Sequence, residues 1–552
     1  MVSDSMFTTR IWASLDPFLE SGPVLGRTQA NAAFLKGLLR LDPYDAYRFY
    51  PASEAACREL SGKLQEAWPR LWDSARLQVV HRRELPRQLA AQEHHVFHLS
   101  DCILHPGHLA ALRNACSRKI FPITSVTHSL SYARYGQDFL RHLSPCTTAR
   151  DAVVATSRAA VDVVNAYYRI LRQGYGLDPV EFAQPQVRHI PLGVDLEAYS
   201  PPDRQRREHL RQDLGFGEEV VFLVLARLCH SSKMDFLPIL RAFHRLILGD
   251  RHASSVRLVL AGWTDEEDWG GRILTDLARN IGLPLTVVER PSDQRKWELY
   301  AASDVFLSPS DNLQETFGLT LLEAQAMGLP VIASDFDGYR DLVEHGHTGE
   351  HVPTLGPSVS DTVDLMAPMG FDNHTQLILA QRLAVDVAAM ASSLERLAGD
   401  AALRRRMGQA ARQLASNYSW ESVAARHVEL WESLWREDVP VQPAGKHPGN
   451  VAYADVFGGY PTSRLGTGMR IVLSRLGNAV YRGQDYPIVY EGLSGMIDPE
   501  ILPALLVLAR KPVDAQALCG RLCSAVAGLG QEDAQAHVLW CLKHDLLERA
   551  DA

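Results

Sequence analysis

The stretch Val305-Phe306-Leu307-Ser308-Pro309-Ser310-Asp311-Asn312-Leu313-Gln314-Glu315-Thr316-Phe317-Gly318-Leu319-Thr320-Leu321-Leu322-Glu323-Ala324 decides the fold class of this chain. It opens on an apolar run stopped by Ser308-Pro309, the pattern of a short strand buried on both faces. Leu319, Leu322, Ala326 and Met327 then recur at helical spacing from about Phe317-Gly318, and Gly328 is placed to end that helix. Strand, loop and helix in this order make one unit of a parallel α/β layer. The spacing puts Glu315 in the loop and Glu323 about two turns into the helix. Free amides at such a helix start face an anion. The two carboxylates can accept hydrogen bonds from hydroxyl groups on either side.

The same alternation extends in both directions. Strand candidates at 77–80, 96–99, 123–127, 152–155 and 187–190 form a first series, and those at 220–226, 256–261, 285–288, 305–307 and 331–333 a second. A chain of 552 residues is too long for a single core. The two series predict two doubly wound, Rossmann-like domains, 1–198 and 199–438, with 419–435 crossing back to the first. A linker with prolines and glycines at 439–450 leads to an appendage, 451–552, where helices are predicted over 501–510, 515–527 and 534–545. In open parallel sheets ligands bind beyond the carboxyl ends of strands, so the loops after the strands carry the chemistry.

The segment resembles the signature of the retaining family 4 glycosyltransferases of GT-B fold, which carry a Glu-x7-Glu motif. Residues 328–335 resemble that family's next strand and 349–353 the strand after it. The resemblance covers roughly residues 15–437. It implies two domains facing across a cleft, a nucleotide diphosphate-sugar as co-substrate (UDP-sugar rather than GDP-sugar), and no required cofactor or metal. It further implies Glu315 against the donor sugar, Glu323 against the ribose, and Ser310, Thr316, Phe317, Gly318 and Leu319 around the donor.

Further positions follow from the same resemblance. Arg227 and Lys233 follow the strand at 220–226, where the family clamps the diphosphate with an Arg and a Lys. The commoner form of that loop is one residue shorter and has Gly where Met234 stands. Two fixed cations suit a leaving group on which charge builds. In the first domain a loop with Gly22 and Gly26 feeds a helical pattern, and the family's comparable loop faces the donor. Arg27 beside it either adds charge there or is an ordinary surface residue. His128 ends the strand at 123–127, where relatives place a His near the donor sugar. Arg290 stands where they hold the nucleobase. The Thr156-Ser157-Arg158 turn is explained by a helix cap alone, and Trp420, Trp431 and Trp435 as packing anchors.

Composition narrows the alternatives. A formal net charge of −9 argues against a nucleic-acid binder. The cysteines are scattered over a long chain, which disfavours a disulfide framework. Residues 1–10 lack a basic-then-apolar leader, and no apolar run approaches the ~20 residues of a spanning helix. A cytoplasmic location is expected, with peripheral membrane contact left open. The acceptor is open as well: glycan, lipid, metabolite or protein. The appendage resembles a winged helix and is compatible with binding a peptide, a partner or a second copy of the chain. Its Cys519, Cys523, His537 and Cys541, spaced one turn apart in pairs, admit a zinc site or, more simply, two packed apolar helices. The leading expectation is a retaining glycosyltransferase. The alternatives are a GT-B epimerase or phosphorylase, and a non-catalytic scaffold that recruits partners through the appendage.

Overall fold

In the computed structural model the residues described are 9–20, 26–249, 255–263, 271–439, 447, 449–493 and 496–550. Gly22 and most of the expected linker lie outside them. The chain divides into two compact units, Met1–His447 and Pro448–Ala552.

The first unit holds two parallel sheets. One contains β1 (Ile11–Ser14), β2 (Ala46–Phe49), β3 (Leu77–Val79), β4 (Val96–Leu99), β5 (Ile123–Val126), β6 (Asp151–Ala155) and β7 (Gln186–His189), in the order β3-β2-β1-β4-β5-β6-β7. The other contains β8 (Val220–Leu225), β9 (Val256–Gly262), β10 (Leu285–Glu289), β11 (Val305–Ser308), β12 (Val331–Ser334) and β13 (Gly349–Val352), in the order β10-β9-β8-β11-β12-β13. Each sheet winds outward both ways from its first strand. The winding therefore reverses between β1 and β4, and again between β8 and β11. A crevice opens at such a reversal, beyond the carboxyl ends of the two strands.

The strands form where apolar residues can be buried on both faces. Along β8, Phe222 and Val224 enter one core, while Val221, Leu223 and Leu225 enter the core on the opposite face. β1 and β2 were absent from the expected strands. Ile-Trp-Ala-Ser and Ala-Tyr-Arg-Phe mix polar and aromatic residues over four positions, too short to show a period. Pairing in register, Ile11 with Ala46 through Ser14 with Phe49, makes them strands and buries Trp12, Tyr47 and Phe49. His94, His95 and His98 are all buried, bonded to the Tyr50 hydroxyl, Glu432 and the Thr124 hydroxyl, and none faces the crevice.

The helix Trp420–Trp435 follows the second sheet in sequence yet packs in the core of the first, against the helix Gly26–Leu41. Trp431 Nε1 donates to Thr124 Oγ1 at 2.8 Å and Trp435 Nε1 to the His95 carbonyl at 2.7 Å. Trp420 lies so close to Gly193 that a Cβ there would stand 2.7 Å from the indole. One further pair of strands, β14 (Thr354–Leu355) and β15 (Ala384–Val385), runs antiparallel and closes the base of an excursion over residues 356–383.

The second unit contains the helices Arg475–Tyr481, Leu502–Leu508, Ala515–Ala525 and Gln531–Lys543. It also has a small antiparallel sheet, β16 (Arg470–Leu473) between β17 (Val513–Asp514) and β18 (Leu547–Arg549), whose strands are too short to be read from sequence. Leu547, just past the predicted last helix, lies in β18. Cys519 and Cys541 are buried in the apolar core of this unit. Both ring nitrogens of His537 are engaged, Nε2 by the Asp498 amide at 2.9 Å and Nδ1 by the Asp533 carbonyl at 2.7 Å. His537 is thus engaged within the unit at both nitrogens, and Cys519 and Cys541 pack as apolar side chains. Among the described residues no helix is long and apolar enough to cross a membrane.

Candidate active site

Both reversal points contribute loops to one cavity of about 980 Å³ within the first unit. That is the upper end of the range for small-molecule sites and leaves room for two reactants. From the second sheet come Arg227 and Lys233 after β8, Trp263 after β9, Pro291 after β10, and Glu315, Thr316, Phe317, Gly318, Leu319 and Glu323 after β11. The first sheet supplies Gly26 and Arg27 after β1, Asp101 after β4, and His128 after β5.

The helix after β11 spans Leu319–Ala326 with Gly318 as its cap, and Gly328 follows at φ +78°, the left-handed stop expected. Glu323 is thus the fifth helical residue, little more than one turn in rather than two. Gly318 itself has φ +109°, and a Cβ on it would lie 2.6 Å from the Tyr339 ring, so only glycine fits. The first amides of a helix have no acceptor within it. At this end they belong to Gly318, Leu319 and Thr320, and all three residues line the cavity.

Glu315 is held on all sides. Its Oε1 accepts the amides of Thr316 and Phe317 at 3.2 and 3.3 Å. Its Oε2 accepts from the Lys233 ammonium and, at 3.1 Å, from the Tyr339 hydroxyl. Those two amides therefore point to the carboxylate, although Thr316 and Phe317 both line the cavity. Burial pushes the Glu315 carboxyl up, but the Lys233 charge and these hydrogen bonds outweigh it and hold it below the ordinary value. Lys233 mirrors this: burial would lower it, and Glu315 with Tyr339 keeps it well above the ordinary lysine value.

Arg227 Nη1 donates to Ser232 Oγ at 3.0 Å, which fixes the guanidinium at the cavity wall. The loop between Arg227 and Lys233 is anchored from β11. Ser310 Oγ donates to the Lys233 carbonyl at 3.0 Å and Asn312 Nδ2 to the Ser231 carbonyl at 2.9 Å. Ser310 is thus buried behind the Lys233 loop and does not line the cavity. Arg290 does not line it either: it is exposed, with its guanidinium 5.9 Å from the Trp263 ring centre, and Pro291 occupies the wall instead. Glu323 accepts from the Tyr300 hydroxyl at 2.8 Å; burial raises its carboxyl, opposed by Lys296 and by the Tyr300 and Tyr199 hydroxyls.

Across the cavity, His128 Nε2 lies 2.7 Å from the Ser100 carbonyl. A carbonyl only accepts, so Nε2 carries the hydrogen and Nδ1 of the neutral ring is left as an acceptor. Burial lowers this imidazole below its ordinary value, opposed chiefly by Asp101. Arg27 sits 2.9 Å from Glu20 and 3.6 Å from Asp101. The start of the helix Gly26–Leu41 also lines the cavity, and a Cβ on Gly26 would stand 4.0 Å from Leu319 Cδ1, an ordinary contact. Ser157 caps the helix Arg158–Tyr175 by accepting from the Ala160 amide, as its sequence suggests.

Sequence reasoning missed Tyr339 and Tyr300, which bond Glu315 and Glu323, Asp337, whose carboxyl feels the Glu315 charge, and Asp101, Met369 and Phe371 of the cavity lining. Asp337 and Tyr339 immediately follow β12, so the carboxyl-end rule alone would have reached them. Gly338 between them lets this turn touch the Glu315 loop: a Cβ there would lie 2.5 Å from the Thr316 carbonyl oxygen.

Comparison with known proteins gives this geometry a context. The family model described as Glycosyl transferases group 1 matches residues 206–367. A D-inositol 3-phosphate glycosyltransferase of Xylanimonas cellulosilytica is 28% identical over 290 residues, covering 51% of this chain and 57% of that protein. One from Rhodococcus erythropolis is 32% identical over 200 residues, covering 36% and 42%. The chain thus spans about half the length of the curated relatives it matches. Among solved structures, Anabaena Alr3699/HepE in complex with UDP superposes with a TM-score of 0.52 at 14% identity, covering 77% of this chain and all of that one. A glycosyltransferase from Rickettsia africae ESF-5 gives 0.50 at 15%, covering 78% of this chain. At these identities the likeness is one of fold.

Proposed function

We propose that this chain, which carries a group 1 glycosyl transferase domain over residues 206–367, moves a glycosyl group from a nucleoside diphosphate-sugar to a hydroxyl acceptor with retention of configuration. The observation that carries the reading is the convergence of Arg227, Lys233 and the Leu319–Ala326 helix start on one cavity wall, with Glu315 and Glu323 flanking them. A lysine ammonium has three hydrogens. Glu315 and Tyr339 take two, and the third is available to a phosphate oxygen. Arg227 supplies a second cation and the helix start its amides. Together they oppose the negative charge that develops on the departing diphosphate.

Glu315 then positions the sugar through the Lys233 ammonium and the Thr316–Phe317 turn that it holds, and does not attack it. Both its oxygens are already hydrogen-bonded, which leaves a poor nucleophile. A trapped covalent glycosyl-Glu315 adduct would refute this assignment. Glu323, held by Tyr300, faces the ribose, and His128 Nδ1 accepts from a sugar hydroxyl. We assign uridine as the base; the Anabaena neighbour of the same fold was solved with UDP.

Incubation with a panel of UDP- and GDP-sugars, followed by chromatography of the released nucleotide, tests the reading. UDP release that disappears in Arg227→Ala is expected. No release from any donor, or release indifferent to Arg227→Ala, contradicts it.

A further inference from the structure

The excursion over residues 356–383 has no role in building the second sheet. Its ends, β14 and β15, are antiparallel neighbours, Thr354 opposite Val385 and Leu355 opposite Ala384. A two-residue turn suffices to join such strands. Instead the chain inserts the helix Asp361–Met366, a tight turn Ala367–Met369 and the helix Asn373–Ala380.

The apex of this excursion reaches the cavity and touches the opposite half of the cleft. Residues 367–371 line the same cavity as Glu315, Lys233 and His128. The Phe371 ring lies 5.4 Å from that of Tyr132, which in turn lies 5.3 Å from Tyr135. Gln376, itself buried, donates to Ser131 Oγ at 2.9 Å. At its other end Gln381 Nε2 donates to Asp235 Oδ2 at 3.0 Å, so the excursion is braced from both sheets. Met369 is nonetheless 75% exposed at the cavity wall. A large apolar side chain is thus held exposed where the chain borders the cavity. Tyr132, next to Phe371, and Tyr135 also line the cavity.

We propose that Met369 and the Phe371–Tyr132 ring pair form an apolar edge of the cavity that selects the acceptor. The acceptor is a hydroxyl compound bearing an aromatic or aliphatic group beside the attacking oxygen, rather than a wholly polar sugar. The adaptable Met thioether and the paired rings grip that group, and the attacking hydroxyl is directed at the donor between His128 and Glu315. This inference rests on the glycosyl-transfer reading above.

The test uses the full chain loaded with UDP, with p-nitrophenyl β-D-glucoside and methyl β-D-glucoside as paired probes, binding followed by calorimetry. The aryl glucoside should bind at least about tenfold more tightly, the low end of what one apolar contact contributes to discrimination. Met369→Ser and Phe371→Ala should each shrink that ratio towards one while UDP still binds. Met369 is exposed, so its replacement leaves folding intact and keeps the test valid should Phe371→Ala unfold. Equal affinity for the two glucosides, a ratio unchanged in Met369→Ser, or no binding of either to UDP-loaded protein overturns the proposal. Failure of UDP itself to bind overturns the functional reading instead.

Discussion

The two sheets of the first unit wind alike, each outward from its first strand, yet the loops they send into the cavity differ in character. The second sheet presents a buried ionic set in which Lys233, Glu315 and Tyr339 satisfy one another. The first presents looser pairings, with His128 bonded to a single main-chain carbonyl and the more exposed Arg27 spread between Glu20 and Asp101. Topology fixes where a crevice opens, whereas its chemistry depends on how tightly the loop side chains are partnered. A tightly partnered wall suits a ligand of constant shape and charge, such as a diphosphate. A looser wall suits a partner that varies.

Removing a member of the tight set should have the largest effect. Lys233→Ala leaves the Glu315 carboxylate buried without its cation, and about 3 kcal/mol of stability should be lost in urea unfolding. The double variant Lys233→Ala/Glu315→Ala should recover part of that loss. Equal stability of the single and double variants would erase the contrast between the two walls.

A second effect depends on pH. Burial and the nearby Glu315 charge push the Asp337 carboxyl up to about 8, from an ordinary 3.8. Between those values the native state holds a proton that the unfolded chain does not. Stability from this group therefore falls as pH rises, by about 1 kcal/mol per unit between pH 5 and 7. Asp337→Asn should flatten that part of the curve of melting temperature against pH. An unchanged slope would show that Asp337 does not feel the Glu315 charge.

The glycines sharpen the comparison at smaller scale. Gly318→Ala must adopt φ +109° and meet the Tyr339 ring, and should cost more than about 1 kcal/mol. Gly26→Ala, its counterpart across the cavity, meets only Leu319 at 4.0 Å and should stay within about 0.5 kcal/mol of the parent. Thermal unfolding of the pair would show whether the two walls differ as described.

The same contrast explains what could be read from the sequence. The second sheet's strands are apolar runs such as Val220–Leu225, and its motif residues lie together in one stretch, so Glu315, Glu323 and the Leu319–Ala326 helix were legible. β1 and β2 were not, because four mixed residues show no period until pairing buries them. The resemblance implies Ser310 around the donor; its side chain turns back to the Lys233 carbonyl, and sequence spacing says nothing of that direction. Arg290 lies in the expected loop but faces outward over Trp263. The acceptor wall at 367–371 carries no motif, since it is a wall only by virtue of the β14–β15 closure and the Tyr132 contact.

The claim on which the account depends is that the second sheet's wall grips a diphosphate, and calorimetric titration of the chain with UDP and with uridine measures it directly. UDP should bind at least about a hundredfold more tightly than uridine, a difference of about 2.7 kcal/mol, and Arg227→Ala/Lys233→Ala should abolish most of the gap. Equal affinity for the two, or a gap that survives loss of both cations, would contradict the account.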